Sequence, residues 1–187
     1  MAIVKIVTEK YYQLSDVQRL INYATNESKT YGLFGGVGIN PNDPDKMLCQ
    51  MLTVKKGYKK EYGYRQLRHI VVSFDKEERI TPQTAYYIAY EIAGFYGDEY
   101  QVCFGVHQDT EILHIHFVQN TVNYVTGKMY SSGIRELDNL KEYVEQIISR
   151  YMDRRGSRKG FLQFGLEMER GMDMNERGDD TEKSTKR

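Results

Sequence analysis

The segment from Gly105 to Asn120, GVHQDTEILHIHFVQN, constrains the fold more tightly than any other part of this chain. It holds three of the four histidines in 187 residues, at positions 107, 114 and 116. Side chains point to alternate faces along a β-strand, so His114 and His116 share one face while the apolar residues that follow each of them share the other. The alternation therefore predicts a strand with a buried apolar face and a histidine face.

A tight turn connects this strand to a preceding one in the predicted fold, YQVCFGVHQD. If the turn is centred between Thr110 and Glu111, His107 stands directly opposite His114, with Cβ atoms about 5 Å apart, and His116 lies on the diagonal at about 7–8 Å. Three imidazoles then converge on one point. The convergence depends on this register, because a slip of one residue would turn His114 away from His107.

Three convergent imidazoles predict a site for a divalent cation. They repel one another when protonated and need hydrogen-bond partners when neutral, and a cation resolves both problems. Three protein ligands leave positions open for water or a substrate oxygen, as in catalytic metal sites. Asp109 is predicted either to orient one imidazole or to act as a weaker fourth partner. The alternative is a patch of hydrogen-bonded polar side chains without a metal.

The rest of the pattern predicts strands and helices around this hairpin. Ser15 is a candidate N-cap for a helix with an apolar face, and Thr81 with Pro82 begins a helix that stops at Gly97. Further strands are predicted at 2–7 and 68–74, and further helices at 45–56 and 133–155. This order indicates an α+β domain with one largely antiparallel sheet and helices packed on it. We expect the domain to occupy residues 1–160 and a polar extension to occupy 161–187.

Charge and cysteine content narrow the class of protein. The 26 lysines and arginines balance 26 aspartates and glutamates, which argues against an indiscriminately basic coat for nucleic acid. Six basic residues and three tyrosines are instead concentrated in KKGYKKEYGYRQLR, positions 55–68. Cys49 and Cys103 lie in apolar segments without a C-x-x-C spacing, which favours buried thiols in a reducing compartment. No apolar run approaches the ~20 residues of a membrane span, so we expect a cytoplasmic protein.

Several motifs resemble those of one enzyme family. RHIVVSF, TPQTAYYIAYEI and HQDTEILHIHFVQNTVNYVTGKMYSS resemble, in this order, the N-terminal relaxase domain of VirD2-like, MOB-P type conjugative and mobilisation nucleases. LINYATNESKT resembles their first motif, a helix-borne tyrosine followed by an asparagine and a lysine-threonine pair. The resemblance covers roughly positions 1 to 150. It implies the relaxase fold of the histidine-hydrophobe-histidine (HUH) nuclease superfamily, a sheet of about five antiparallel strands with the tyrosine helix alongside.

The resemblance implies a nuclease that nicks single-stranded DNA at an origin of transfer. Tyr23 would attack the scissile phosphate and leave a 5′-phosphotyrosyl link and a free 3′-hydroxyl, so that the strand can later be rejoined or transferred. His107, His114 and His116 would hold a divalent metal ion, manganese or magnesium, with zinc and nickel as alternatives. Only the segment around Tyr23 matches the first motif. Three other tyrosines of the N-terminal region compete for the role: Tyr11, Tyr12 and Tyr31.

DNA contacts are expected from residues around this site. Lys29 is predicted to contact a phosphate, and Asn120, on the histidine face by alternation, to hold substrate or a water. Basic side chains beside stacking rings suit single strands and hairpin backbones. The predicted DNA-binding residues are Lys29, Thr30, Lys55, Lys56, Arg65, Arg68 and Asn120. His69, on an inward strand, is expected to be structural and not a ligand.

The expected partner is origin-of-transfer DNA, a single strand with an adjacent hairpin. The zero net charge predicts help from an accessory DNA-binding protein, and the family implies a coupling protein. One alternative is a catalytically silent module that binds origin DNA. Another is a rolling-circle replication initiator of the same superfamily, although those proteins place the histidine motif ahead of the tyrosine. A structural metal protein that ignores DNA is a third.

Overall fold

The computed structural model describes residues 2–154, and its centre is a five-stranded sheet. The elements in chain order are β1 Ile3–Ile6, α1 Leu14–Ala24, α2 Glu27–Thr30, β2 Phe34–Val37, α3 Pro44–Gly57, β3 Leu67–Ser73, a 3-10 turn Lys76–Glu78, α4 Pro82–Gly97, β4 Val102–His107, β5 His114–Asn120 and α5 Glu136–Arg154. The strand order is β1-β3-β5-β4-β2, and every neighbouring pair is antiparallel. The predicted α+β class and antiparallel sheet are confirmed.

The predicted polar extension, 161–187, lies outside the described residues. One compact unit ends at Ile148 and contains all five strands of the sheet. None of the helices in residues 2–154 is long and apolar enough to cross a membrane.

The N-caps that the sequence predicted for two helices, α4 and α1, have different outcomes. Helix α4 begins as predicted, because the Thr81 side chain accepts a hydrogen bond from the backbone N–H of Thr84 and Pro82 occupies the first turn. Helix α1 begins at Leu14, so the prediction of Ser15 as its cap is wrong. The Asp16 carboxylate instead accepts from the backbone N–H of Gln13 at 2.9 Å. A carboxylate in the first turn is also stabilised by the positive end of the helix dipole.

The two faces of the sheet are covered by different helices. Helices α1 and α3 pack on the face that carries the histidines. The buried apolar side chains of this core are Val17, Leu20, Ile21, Ala24, Met47, Met51, Leu67, Cys103 and Val118. On the opposite face, Phe104 of β4 contacts the rings of Tyr86 and Tyr90 in α4. Cys103 is buried as predicted, whereas Cys49 is exposed, so the prediction of a buried thiol is wrong for Cys49.

A buried lysine joins α3 to the sheet. The Lys55 side chain is fully buried, and its Nζ donates to the backbone oxygen of Gln66 and to Oδ1 of Asn120, both at 2.6 Å. Asn120 in turn donates from Nδ2 to Oε1 of Gln101 at 2.9 Å. Burial lowers the pKa of the Lys55 ammonium to about 7. Lys55 and Asn120 therefore form an internal polar network that satisfies buried groups of the core.

We predict that Lys55 makes the stability of the fold depend on pH in the alkaline range. Between pH 7 and about 10.4, the unfolded chain holds the lysine proton more tightly than the folded chain, so the free energy of unfolding rises with pH. Relative to Lys55→Met, the wild type should gain as much as about 1.4 kcal/mol per pH unit in this window. Urea unfolding from pH 7 to pH 9.5 measures the difference. Lys56 is the exposed neighbour, so Lys56→Met is the control. Its free energy of unfolding, plotted against pH, should run parallel to that of the wild type. A parallel Lys55→Met curve would contradict the prediction.

Candidate active site

The histidine hairpin has the predicted register. His107 of β4 pairs with His114 of β5, and Gly105 pairs with His116. Each of the three imidazoles offers a nitrogen, and these atoms all lie within 4.8 Å of one another. Strand alternation alone thus assembles three potential ligands at the end of the central hairpin.

Backbone carbonyls fix the tautomers of two imidazoles. The Nε2 of His107 lies 3.0 Å from the oxygen of Ala24, and the Nδ1 of His114 lies 2.8 Å from the oxygen of Ile112. A carbonyl can only accept, so each of these nitrogens carries the proton. The lone pairs of His107 and His114 are therefore on Nδ1 and Nε2, respectively.

The third imidazole is held by the fourth histidine. The Nδ1 of His116 lies 2.8 Å from the Nε2 of His69, whose other ring nitrogen lies 3.0 Å from the Tyr11 hydroxyl. Within the described residues, the buried Nδ1 of His107 and the buried Nε2 of His116 have no hydrogen-bond partner. Imidazoles that bind a metal through one nitrogen and a fixed partner through the other have this arrangement. The donor set therefore fits a divalent cation.

Burial favours the neutral form of His69, His107 and His116. It lowers the pKa of His116 to about 2, with further lowering from the neighbouring His107, and it lowers the pKa of His69 to about 4. Burial also lowers the pKa of His107. Metal ligation requires neutral imidazole, so the ligand candidates His107 and His116 are in the required state near neutral pH.

Tyr23 lies beside this cluster although it is far away in the sequence. It occupies the last turn of α1, where its ring centroid is 5.3 Å from that of His107 and 5.0 Å from that of His116. Its side chain stays 40% exposed, so solvent and a substrate can reach it. The structure thus places a partly exposed phenol ring against two of the imidazoles.

Gly105 allows α1 to approach the sheet this closely. A Cβ built on Gly105 would overlap the carbonyl oxygen of Ala24. The same oxygen accepts the hydrogen bond from His107, so one backbone group ties the tyrosine helix to the histidine strand. This role was missing from the sequence-based prediction. A glycine inside an otherwise apolar strand was the available signal, since it often marks a close backbone approach.

The competing tyrosines have other positions. Tyr11 is buried, and its hydroxyl lies 3.0 Å from the Nδ1 of His69. Tyr12 and Tyr31 are exposed, and neither makes a ring contact with the three clustered histidines. Among the described tyrosines, Tyr23 is the one whose ring contacts this cluster.

Lys29 and Asp109 form an ion pair at the mouth of the site. The Lys29 Nζ lies 3.0 Å from Oδ2 of Asp109 and 4.6 Å from the centroid of the Tyr23 ring. The hydrogen bond from Lys29 lowers the pKa of Asp109. Asp109 does not orient His107 as one prediction had it, because the nearest approach, 3.9 Å from Nδ1, is too long for a hydrogen bond. Its carboxylate faces the open nitrogen of His107, but Asp109 is not part of the group of converging ligand atoms, so the role of a weaker fourth partner stays a prediction.

Four predicted DNA-binding residues are buried. Lys55 and Asn120 bind each other in the core, and Thr30 donates to the backbone oxygen of Asn26. Arg68 lies on the face opposite the histidines, where its guanidinium donates to Tyr96 and to Glu136. Their polar groups are satisfied inside the fold, so the predicted contact with DNA is not supported for these residues. Arg65 is half-buried and donates to three backbone carbonyls.

Only part of the basic segment 55–68 is exposed. Lys56 and Lys59 are exposed, and the Tyr62 side chain is 75% exposed. The Lys60 Nζ lies 4.4 Å from the centroid of the Tyr64 ring, a cation–π contact at the surface.

A cavity of about 420 Å³ opens beside the nucleophile candidate Tyr23. It is lined by Val7, Glu9, Tyr11, Arg19, Leu20, Tyr23 and His69.

Comparisons with known proteins match this arrangement to one family. The family model "Relaxase: MobA/VirD2-like, nuclease domain" matches residues 23–152, which include Tyr23 and all three clustered histidines. Protein rlx of Staphylococcus aureus is 28% identical over 142 residues, which are 76% of this chain and 42% of that protein. The group II intron-interrupted relaxase LtrB of Lactococcus lactis subsp. cremoris is 33% identical over 63 residues, 33% of this chain and 11% of that protein. This chain thus spans less than half the length of these relatives.

A solved structure, described as "Molecular Basis of Vancomycin Resistance Transfer in Staphylococcus aureus", has a similar fold. The TM-score is 0.61 at 11% sequence identity, over 83% of this chain and 94% of that one. At this sequence identity the similarity shows a shared fold only.

We predict that Gly105→Ala separates α1 from the histidine strand. The added methyl group would overlap the Ala24 carbonyl, a backbone group that cannot rotate away, so the last turn of α1 must move. Overpacking of this kind costs typically about 1–3 kcal/mol, which urea unfolding measures. The Tyr23–His107 ring contact should also weaken, seen as lost cross-peaks in NOESY spectra.

Gly94→Ala is the matched control, because a Cβ at Gly94 meets nothing within 4 Å. It lies inside α4 and should leave the free energy of unfolding equal or up to about 1 kcal/mol higher. Equal stability and unchanged Tyr23–His107 cross-peaks in Gly105→Ala would contradict the role given to Gly105.

Proposed function

This chain belongs to the MobA/VirD2-like relaxase family through its nuclease domain, and we propose that it nicks single-stranded DNA at an origin of transfer with Tyr23 as the nucleophile. The observation that carries the proposal is the position of Tyr23. Its ring lies 5.0–5.3 Å from those of two histidines that are more than 80 residues away in the chain. Conjugation and mobilisation of DNA are the processes that a relaxase of this family serves.

The proposed reaction is a transesterification. The Tyr23 oxygen forms a bond to the scissile phosphorus, and the bond from phosphorus to the 3′ oxygen of the preceding nucleotide breaks. The phenol gives up its proton to solvent, which reaches the half-exposed side chain, and the leaving 3′ oxygen takes one up. The products are a 5′-phosphotyrosyl link and a free 3′-hydroxyl. One phosphodiester replaces another, so the strand can be rejoined or transferred later.

The three histidines are proposed to hold a divalent metal ion, through His107 Nδ1, His114 Nε2 and His116 Nε2. When bound, such an ion supplies Lewis-acid polarisation of a phosphate oxygen and neutralises charge that develops on it. Imidazole nitrogen suits zinc and nickel, and the other candidates are manganese and magnesium, which favour the oxygen ligands that water and phosphate supply. The neutral state and fixed tautomers of the buried ligands are what the protein itself contributes.

Lys29 is proposed to contact the phosphate beside the scissile bond. Its ammonium lies over the Tyr23 ring and is held there by Asp109, so a positive charge faces the place where the phosphate must sit. The exposed residues Lys56, Lys59 and Tyr62 are proposed to bind the backbone and bases of the flanking DNA, as a single strand or hairpin. An accessory DNA-binding protein and a coupling protein are the proposed partners of this chain.

We predict that Tyr23→Phe abolishes formation of the covalent adduct. A labelled single-stranded oligonucleotide that spans the origin of transfer, incubated with the protein and manganese, should yield a DNA–protein adduct resolved by denaturing electrophoresis. Tyr31→Phe is the matched control, since this exposed tyrosine lies in the same part of the chain but outside the cluster. The control should retain the adduct, and chelation of the metal should remove it.

Other outcomes favour the alternative functions. DNA binding without an adduct, identical in wild type and Tyr23→Phe, would contradict the nuclease and indicate a silent origin-binding module. An adduct formed at a replication origin and absent at a transfer origin would indicate a replication initiator. Loss of stability on chelation, with no DNA binding, would indicate a structural metal protein.

A further inference from the structure

A chain of hydrogen bonds runs behind the metal-ligand candidate His116. The Tyr11 hydroxyl donates to Oε2 of Glu9 at 3.2 Å and lies 3.0 Å from Nδ1 of His69. The Nε2 of His69 lies 2.8 Å from Nδ1 of His116. Tyr11, His69 and His116 are each at most 6% exposed, and Arg19 holds Glu9 from outside with a 3.0 Å ion pair. The series connects the surface to the cluster.

The direction of the hydrogen bonds in this series follows from its outer end. A carboxylate only accepts, so the single hydroxyl proton of Tyr11 points to Glu9. The Tyr11 oxygen must then accept from Nδ1–H of His69, which leaves the lone pair of His69 on Nε2. That lone pair accepts from Nδ1–H of His116. The Nε2 of His116 is consequently unprotonated, with its lone pair available in the cluster.

The tautomer of His116 depends on this series of hydrogen bonds, whereas the tautomers of the other two ligand candidates do not. Carbonyl oxygens face His107 and His114, and a carbonyl permits one tautomer only. The partner of His116 is another imidazole, which can donate or accept. If His69 donated to His116, the proton of His116 would lie on Nε2 and no lone pair would face a metal.

We propose that Glu9, Tyr11 and His69 are positioning residues that set the tautomer of His116 so that its Nε2 can bind a metal. The inference rests on the proposed function, because it takes His116 as a metal ligand. It extends the site from one hairpin to the segment before α1 and to β3. The three residues act through His116 and touch neither substrate nor metal.

Two simpler roles for His69 compete with this one. His69 could be a packing residue, in which case its volume matters and its hydrogen bonds do not. It could also be a fourth ligand, but its Nε2 is directed to His116 and its Nδ1 to Tyr11. The group of potential ligands among the described residues consists of the other three histidines.

Long-range ¹H–¹⁵N spectra of the metal-free protein test the tautomer directly. In the wild type, His116 should carry its proton on Nδ1. Tyr11→Phe removes the acceptor for His69, so a measurable fraction of His116 should shift to the Nε2–H form. Tyr124→Phe, which removes a hydroxyl that donates to the backbone oxygen of Gly97 and takes no part in this series, should leave His116 unchanged. A His116 with Nε2–H in the wild type, or an unaltered tautomer in Tyr11→Phe, would overturn the proposal.

Calorimetric titration with manganese chloride separates hydrogen bonding from packing. His69→Leu should weaken manganese binding about 10–100-fold, as expected for loss of a partner behind a ligand. His69→Gln should stay within a few-fold of wild type, because its amide oxygen can accept from Nδ1–H of His116. Unchanged affinity in a folded His69→Leu, or equal losses in both variants, would overturn the proposal. A wild type that binds no manganese would contradict the proposed function instead, while the tautomer spectra still test the positioning role.

Discussion

The close approach of α1 to β4 at Gly105 is the contact on which the rest of the site depends. Tyr23 and the histidines belong to elements that are distant in the chain, and no hydrogen bond between their side chains holds them together among the described residues. The Ala24 carbonyl does so instead, since it rests on the bare backbone of Gly105 and accepts the His107 proton. A single backbone group thereby sets the position of the nucleophile candidate and the tautomer of a ligand candidate.

Burial lowers the pKa of His107 and His116 and also makes these imidazoles dependent on hydrogen-bond partners inside the fold. An unpaired imidazole in a low-dielectric environment is costly, and protonation there is more costly still. Two carbonyls and His69 supply the hydrogen-bond partners of the three imidazoles. The cost of protonation keeps the buried ligand candidates His107 and His116 neutral. The remaining nitrogens of His107 and His116 are buried without a hydrogen-bond partner in the described residues, a state that a bound cation would relieve.

The hairpin and its register could be predicted from sequence because strand alternation and turn length fix which side chains are neighbours. The start of α4 followed equally from Thr81 and Pro82. Lys55 could not be placed in this way. A lysine in a basic run is usually exposed, and its burial depends on Asn120, an acceptor 65 residues away that a local pattern does not show. The series through Glu9 and Tyr11 was missed for the same reason, since His69 meets Tyr11 across 58 residues.

Anomalous diffraction from crystals of this chain soaked in manganese chloride is the most direct test of the site. We expect a peak at the point where His107 Nδ1, His114 Nε2 and His116 Nε2 converge, with the Tyr23 ring beside it. The same experiment on His116→Ala crystals should show a weaker peak or none. Manganese bound away from these nitrogens, or bound equally well without His116, would contradict the assignment of the three histidines as one metal site.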